Sequence, residues 1–314
     1  MLSYILKRLI AAIPVLFGLS IIVFLIIAII PGDPATAILG AYATPENVAK
    51  LNADLGLDRS LPEQYLAWIS GVLQGDFGRS YALNRPVIDE VLERFQATLI
   101  LAGASLVLAS ILGLAAGIVS AVRQFGWADR TITTLVLIGI SVPSFWLGLL
   151  LILFFAVKIK LFPASGMTAI YGGGGVSDIL HHLALPAFTL AIVAAGVIAR
   201  LTRTAMLEVL RQDYIRTARA KGLSERRVIY RHAFMAALVS VIPVIGIQAG
   251  FVLGGAVYVE TVFQWPGIGA MLVNAISQRD ILLVQGGVLV VAASYVLFNL
   301  AADVAQATLD PRLK

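Results

Sequence analysis

The sequence has no cysteine and only three histidines, and these scarcities exclude several kinds of chemistry. Without thiols the chain forms no disulfide bond, binds no metal through thiolates and uses no cysteine nucleophile. The adjacent His181 and His182 would point about 100° apart on a helix, which favours an interfacial pair over a metal site. The chain also has no phosphate-binding GxxxxGK(S/T) loop, so we do not expect it to hydrolyse ATP. We therefore expect no catalytic residue, metal or cofactor in it.

Charged residues are scarce as well. They make up 13% of the chain, where soluble domains have about 25%, and apolar residues make up 59%. A membrane span needs roughly 20 mainly apolar residues, and six segments meet that requirement. They are residues 9–30, 98–122, 132–157, 183–203, 236–259 and 281–303. The sequence thus predicts an all-α integral membrane protein with six transmembrane helices.

The central part of each predicted span carries no Asp, Glu, Lys, Arg or His. Carriers that use a proton or ion gradient generally keep such residues within the membrane, because charge movement drives them. If this chain moves a solute, we infer that the energy comes from another protein. A stand-alone secondary carrier or channel is the less favoured alternative.

The basic residues lie mainly on one side of the predicted membrane. Fifteen of the 23 Lys and Arg residues fall in the two terminal segments and in the two loops on the same side, nine of them between Arg200 and Arg231. The positive-inside rule therefore predicts both termini on the inner face. The basic composition reflects this topology and contact with membrane lipid, and we expect no nucleic-acid partner.

Four regions follow from the spans. They are an N-terminal transmembrane helix at 1–30, an external helical region at 31–97, a membrane core at 98–304 with a cytoplasmic loop at about 200–233, and a cytoplasmic tail at 305–314. In the external region a helix is predicted from Pro62 to Leu73, and GlyAspPheGly at 75–78 ends it.

Glycines recur at helical spacing in two of the spans. Gly113 and Gly117 lie in the second span, and Gly246, Gly250 and Gly254 lie in the fifth. Such spacing lets helix backbones approach closely. We expect these glycines to pack within the bundle or against a second subunit.

Four uncharged polar side chains lie at membrane depth, where an amide or hydroxyl should face a partner or a wet path. They are candidates for lining a translocation path, and hydrogen bonding between helices is an equally supported alternative. The four are Gln248, Gln285, Ser294 and Asn299.

The inner loop at 200–233 has the pattern of two short helices around a corner. The first helix is predicted to run to about Lys221 and to end at Gly222 in the left-handed conformation, and the second to start at Ser224 with Glu225 in its first turn. Attraction to anionic lipid would explain the positive charge but not an ordered corner. A docking element for another protein explains both.

Two segments of this loop resemble the cytoplasmic coupling loop of binding-protein-dependent ABC permeases. They are AspTyrIleArgThrAlaArgAlaLysGlyLeuSer at 213–224 and ArgHisAlaPhe at 231–234. The resemblance covers the whole chain and is strongest to the dipeptide and oligopeptide branch. Further matching motifs are LeuLysArgLeu at 6–9, ProGlyAspPro at 31–34, GlyAspPheGlyArgSer at 75–80, ProGlyIleGly at 266–269 and AspProArg at 310–312. The glutamate common in this loop is missing, since the sequence has ArgThrAla at 216–218.

The resemblance implies a type I ABC importer permease with the MetI-like fold, in the bacterial cytoplasmic (inner) membrane. The implied partners are a second homologous permease subunit, two ABC ATPase subunits and an external solute-binding protein. ATP and Mg²⁺ would be bound by the ATPases, whose closure would drive alternating access. The loop's interface with the ATPases, with Gly222 at the corner, is carried over onto Arg216, Thr217, Ala218, Arg219, Ala220, Lys221, Gly222, Leu223, Ser224 and Glu225.

The substrate implied by the resemblance is a dipeptide or oligopeptide. Nickel, glutathione and other small solutes are imported by the same branch, and the sequence leaves this choice open. It also leaves open which residues contact the solute and whether the two ATPases are identical. A receptor that uses residues 31–97 is a further alternative, and an intramembrane enzyme is the least supported one, since no nucleophile–base set is present.

Overall fold

The computed structural model describes residues 2–29, 34–54, 56–169, 171 and 173–309. In these ranges the chain forms helices joined by turns, with one isolated antiparallel bridge between Arg79 and Pro86. The all-α prediction is confirmed for them. The AspProArg motif and most of ProGlyAspPro, together with the last five residues of the predicted tail, lie outside the described residues.

Thirteen α-helices are described, together with one short 3₁₀ turn and two π-helical stretches. They are α1 (Leu2–Ile29), α2 (Pro34–Leu39), a 3₁₀ turn (Gly40–Tyr42), α3 (Pro45–Asp54), α4 (Leu61–Leu73), α5 (Val87–Val122), α6 (Trp127–Ser141), α7 (Ser144–Leu151) continued by a π-helix (Ile152–Lys158), α8 (Val176–Leu210), α9 (Asp213–Ala220), α10 (Glu225–Arg227), a π-helix (Val228–Phe234), α11 (Met235–Phe263), α12 (Ile268–Gln278) and α13 (Ile281–Leu309).

Five of these helical segments are long and apolar enough to cross a membrane. They are α1, α5, α8, the continuous helix from Glu225 to Phe263, and α13. A sixth candidate is the bent pair formed by α6 and by α7 with its π-helical continuation, whose axes differ by 105°. With the bent pair counted as one span, the prediction of six spans is confirmed.

The bend lies at Val142 and Pro143, within a segment that the sequence analysis predicted as one helix. Proline cannot donate a backbone hydrogen bond and pushes the residue before it out of the helical conformation. Val142 accordingly has φ −79° and ψ 126°, and Pro143 precedes the first turn of α7 in an extended conformation. An apolar run that is continuous in sequence therefore contains a corner.

The helices also extend beyond the apolar runs. α5 begins at Val87 and has Asp89 and Glu90 in its first turn, which a search for apolar residues passes over. α13 continues to Leu309, so residues 305–309 are helical. Hydrophobicity marks the part of a helix that suits hydrocarbon, whereas its backbone hydrogen bonding continues into polar flanking turns.

The described chain divides into two compact units. One contains residues 98–265 and 297–309, and the other contains residues 2–97 and 266–296. In the first unit α8 is the central helix. Of its apolar 18-residue stretch 72% is buried, against 28% for the corresponding stretch of the helix from Glu225 to Phe263. It packs against α6, α7 and α11.

The second unit has its apolar core where α5 begins. Val87 and Val91 pack with Leu283 of α13 and with three residues of α12, Ile268, Met271 and Ala275. Beside this core, Asp280 accepts hydrogen bonds from the Ser80 hydroxyl (2.5 Å) and the Ala82 N–H (3.2 Å). These bonds fix the segment between α4 and α5 to the start of α13.

The helix predicted at 62–73 is present as α4. Its first turn is stabilised by Glu63, whose carboxylate accepts hydrogen bonds from the Ser60 hydroxyl (2.8 Å) and N–H (3.0 Å). These bonds, the one from the hydroxyl first, lower the pKa of Glu63. On the other side of α4, Tyr65 packs edge-on against Phe17 and Phe24 of α1.

A substitution at Gly117 tests the close packing in the first unit. A Cβ at Gly117 would lie 2.5 Å from the Cβ of Thr202 and 2.6 Å from the carbonyl oxygen of Ala199 in α8. Gly117→Ala should therefore destabilise the protein by an overpacking cost of about 1–3 kcal/mol, measured as a lower Tm in detergent. The control is Gly103→Ala on the same helix, because a Cβ at Gly103 meets nothing within 4 Å. Equal Tm values for the two variants would contradict the contact.

Candidate functional site

The inner loop contains the corner that the sequence predicts. Gly222 follows α9 with φ +76°, and its N–H donates to the carbonyl of Arg219 at 2.9 Å. The N–H of Leu223 reaches back to the carbonyl of Ala218 at 3.3 Å, and Ser224 then starts α10 from an extended backbone. The predicted left-handed conformation of Gly222 is confirmed.

One face of α9 is anchored to the rest of the loop. Ile215 and Ala218 are buried, and α9 packs against the π-helix that follows α10, in which Val228 and Ala233 are also buried. The two arms of the corner are therefore folded onto each other. Ala218 supports the loop from inside, and its place at an interface with another subunit stays a prediction.

The other assigned loop residues lie outside this apolar contact. Leu223 is half-buried, and eight are exposed: Arg216, Thr217, Arg219, Ala220, Lys221, Gly222, Ser224 and Glu225. Across the corner, Arg219 Nε donates to Glu225 Oε1 at 2.8 Å. An exposed pair contributes only about 0–1 kcal/mol, less than the burial of Ile215 in the apolar contact between the arms.

The second arm adds residues that the sequence analysis did not assign. An open depression of about 420 Å³, here called the basic concavity, is lined by Ser224, Arg226, Arg227, Tyr230 and Arg231. Guanidinium groups bind carboxylates bidentately and stack on planar groups, so this surface suits an acidic partner. Arg226 and Tyr230 are four residues apart, as are Arg227 and Arg231, so each pair lies on neighbouring turns of a helix. This spacing was the signal in the sequence.

An ion pair between a buried carboxylate and a half-buried guanidinium group lies at the base of the loop. Arg203 Nε and Nη2 of α8 donate to the two carboxylate oxygens of Asp129, each at 2.8 Å. The Ser120 hydroxyl and the Phe125 N–H (2.9 Å) donate to the same carboxylate, which is 4% exposed.

We call this group the Asp129–Arg203 clamp; it joins the inner end of α8 to the turn between α5 and α6. Sequence reasoning missed it because the partners are 74 residues apart, although Asp129 is the one acidic residue in the basic loop at 123–131.

The four candidate path residues are divided between the two units. Gln248 and Asn299 belong to the first unit, and Gln285 and Ser294 to the second. Asn299 is half-buried and the other three are buried. The Ser294 hydroxyl donates to the carbonyl of Val290 in its own helix at 2.6 Å. A role in a translocation path stays a prediction for all four.

The candidate packing glycines have different surroundings. Gly113 lies against α8, where a Cβ would be 2.7 Å from Ile198 Cβ, and Gly117 has the same kind of contact one turn later. On α11, Gly250 is buried, Gly246 is half-buried, and Gly254 is exposed with nothing within 4 Å of a Cβ built there. Packing of Gly254 against a second subunit stays a prediction.

The two adjacent histidines make local hydrogen bonds. A ring nitrogen of His181 lies 2.8 Å from the carbonyl oxygen of Leu161. His182 Nδ1 lies 2.9 Å from the carbonyl oxygen of Asp178 and 3.2 Å from its carboxylate. Within the described ranges, no group of three or more His, Cys, Asp or Glu side chains could hold a metal ion.

Two family models match this chain. The binding-protein-dependent transport system inner membrane component matches residues 113–314, and the N-terminal model of binding-protein-dependent transport system membrane components matches residues 1–102. The glutathione transport system permease protein GsiC of Escherichia coli strain K12 is 42% identical over 314 residues, which cover 100% of this chain and 99% of that protein. The protein of the same name from Shigella dysenteriae serotype 1 strain Sd197 has the same identity and coverage.

Solved structures share the fold. The MetNI methionine ABC transporter in an inward-facing conformation matches with a TM-score of 0.60 at 18% identity, over 71% of this chain and 97% of that chain. An amino acid ABC transporter with histidines matches with a TM-score of 0.51 at 12% identity, over 72% of this chain and 95% of that chain. At such identities the likeness extends to the fold alone, and it confirms the predicted MetI-like permease fold.

Ile215→Ala tests whether α9 is anchored as described. Truncating a buried isoleucine costs about 2–5 kcal/mol, and every 1.4 kcal/mol is a factor of ten. α9 should therefore detach more often, and limited trypsin digestion should cleave after Arg216, Arg219 or Lys221 at least tenfold faster. Tyr214→Ala is the control, since Tyr214 is exposed and its loss should leave the cleavage rate near that of the wild type. Equal rates for the two variants would contradict the anchoring.

Proposed function

Because the chain belongs to the family of binding-protein-dependent transport system inner membrane components, we propose that it imports a short peptide, with glutathione as the best-supported example. It is a non-catalytic, multi-pass permease subunit of an ABC importer in the inner membrane. Its partners include an ATPase and a solute-binding protein.

Two observations support a peptide substrate. The relatives that match the whole chain at 42% identity are named glutathione transport permeases, and glutathione is a tripeptide. In addition, the central parts of the spans carry no carboxylate or imidazole, and nickel favours imidazole ligands among protein side chains. Amide side chains such as Gln248 and Gln285 can both donate and accept hydrogen bonds, which suits the backbone of a passing peptide. Nickel is therefore the less favoured solute.

The loop is the proposed site of energy input. Its exposed residues from Arg216 to Glu225, together with the basic concavity, form a continuous surface on the two arms of the corner. The anchored face of α9 keeps this surface rigid, so a push on the corner moves both arms. ATP and Mg²⁺ are bound by two ATPase subunits in this proposal, and their closure switches the spans between inward- and outward-open states.

A second homologous permease completes the proposed assembly. α11 presents Ile247, Phe251 and Tyr258 on its surface, each more than half exposed, beside the open side of Gly254. Small and apolar residues at such spacing allow close helix packing in a membrane. Lipid covers the remaining apolar faces.

The corner is tested by two substitutions at Gly222. Nothing in this chain lies within 4 Å of a Cβ built there, so within the permease subunit a side chain acts through the backbone conformation. Gly222→Val should lower ATP-dependent uptake at least tenfold, because a left-handed L-residue costs about 1–2 kcal/mol and a β-branched one more. Gly222→Asn should retain most of the uptake, since asparagine tolerates this conformation. Wild-type uptake by the valine variant would remove the corner from the mechanism.

The proposed substrate is tested by uptake into proteoliposomes that contain the complete importer. With the binding protein outside and ATP inside, radiolabelled glutathione should accumulate, and unlabelled di- and tripeptides should compete for the same uptake. The control is the same preparation without ATP. Accumulation of nickel with no effect of peptides would contradict the substrate, and uptake by this chain alone without ATP would favour a stand-alone carrier.

A further inference from the structure

The Asp129–Arg203 clamp fixes both distance and orientation. The guanidinium group uses two nitrogens on the two carboxylate oxygens, and Arg203 Nε also lies 3.1 Å from the Ser120 hydroxyl oxygen. Paired charge-assisted bonds of this kind allow little rotation. Removal of Arg203 would leave the buried Asp129 carboxylate without its counterion, which is strongly unfavourable.

A backbone contact lies next to the clamp. Gly117 precedes Ser120 by less than one turn of α5, and it touches Thr202, the neighbour of Arg203 in α8. A Cβ at Gly117 would be 2.6 Å from the carbonyl oxygen of Ala199, so the two helix backbones lie too close to admit a side chain at this position. Sliding or rotation of α8 against α5 would break the polar and the backbone contact together.

The clamp also lies close to the loop. Arg203 is seven residues before the end of α8 at Leu210, and two residues separate α8 from α9. At 1.5 Å per residue the clamp is on the order of 10 Å from the base of the loop. The second arm continues without a break into α11. Along the chain, α5 and α6 are joined to the loop only through α7 and α8.

We propose that Asp129 and Arg203 are positioning residues that carry the movement of the loop from α8 to α5 and α6. The inner ends of these three helices then move as one body through the transport cycle. The proposal rests on the proposed function, because it needs the loop to be where the ATPases act.

The expected consequence of losing the clamp is uncoupling. The exposed face of the loop stays intact, so the ATPases still bind it and hydrolyse ATP. Movement then reaches α8 and α11 without moving α5 and α6, and fewer solute molecules cross for each ATP. A clamp that only stabilised the fold would change the amount of active importer and leave this ratio unchanged.

The absence of native cysteine allows a direct test. In the assembled importer, Asp129→Cys with Arg203→Cys removes the ion pair, and a short bifunctional thiol reagent then restores the connection covalently. The ATP hydrolysed per radiolabelled glutathione imported should rise at least tenfold in the unlinked double variant and return to within about twofold of the wild type after linking. An unchanged ratio, or a link that stops transport, would overturn the proposal.

Controls separate this test from failures of folding and of the proposed substrate. Arg200→Cys, exposed on the same helix, should keep the wild-type ratio with and without reagent. Arg203→Lys keeps the charge without the bidentate geometry, and a raised ratio is expected there even if the double variant fails to assemble; a wild-type ratio would count against the proposal. If the wild-type importer transports another peptide instead of glutathione, only the proposed substrate is wrong, and the ratio is measured with that peptide.

Discussion

The close approach of α5 to α8 at Gly113 and Gly117 is the contact on which the inner half of the first unit depends. Between helices in lipid there is little hydrophobic driving force, so close packing and hydrogen bonds hold them together. The two glycines bring the backbones near enough for Ser120 to reach the Asp129–Arg203 clamp. α8 is thereby fixed at its inner end, and the loop that follows starts from a defined position.

The loop that begins at this fixed position presents an exposed, charged surface. A left-handed residue at Gly222 reverses the chain, and Ile215 and Val228 bury the inner side of the two arms. The outer side is left with the charged residues of α9 and α10 and the basic concavity. A permease of this family receives its energy from another subunit, and a rigid, positively charged corner on the inner face is suited to receive it.

Local patterns in the sequence were sufficient to predict the spans and the corner of the loop. Apolar runs of about 20 residues predict spans because the bilayer sets their length, and a glycine followed by a serine and a glutamate predicts the corner because each residue acts on its own backbone. The loop residues of the predicted interface were assigned by resemblance, which does not reveal that Ala218 is buried. Which side of a short helix is buried depends on its tertiary neighbours.

Long-range features could not be derived in this way. The pairing of Asp129 with Arg203 joins residues that only the packed helices bring together, and the division of Gln248 and Gln285 between two units is invisible in a list of polar residues. The bend at Pro143 is an intermediate case, since its cause is local but the apolar run around it concealed the signal.

In the proposed importer the exposed side of this corner contacts an ATPase subunit. Since the chain has no native cysteine, Lys221→Cys can carry a single photoactivatable cross-linker, with Arg79→Cys in the predicted external region as the control. In the assembled importer we expect light to join position 221 to an ATPase subunit and position 79 to none. Cross-linking of position 221 to lipid alone would contradict the claim.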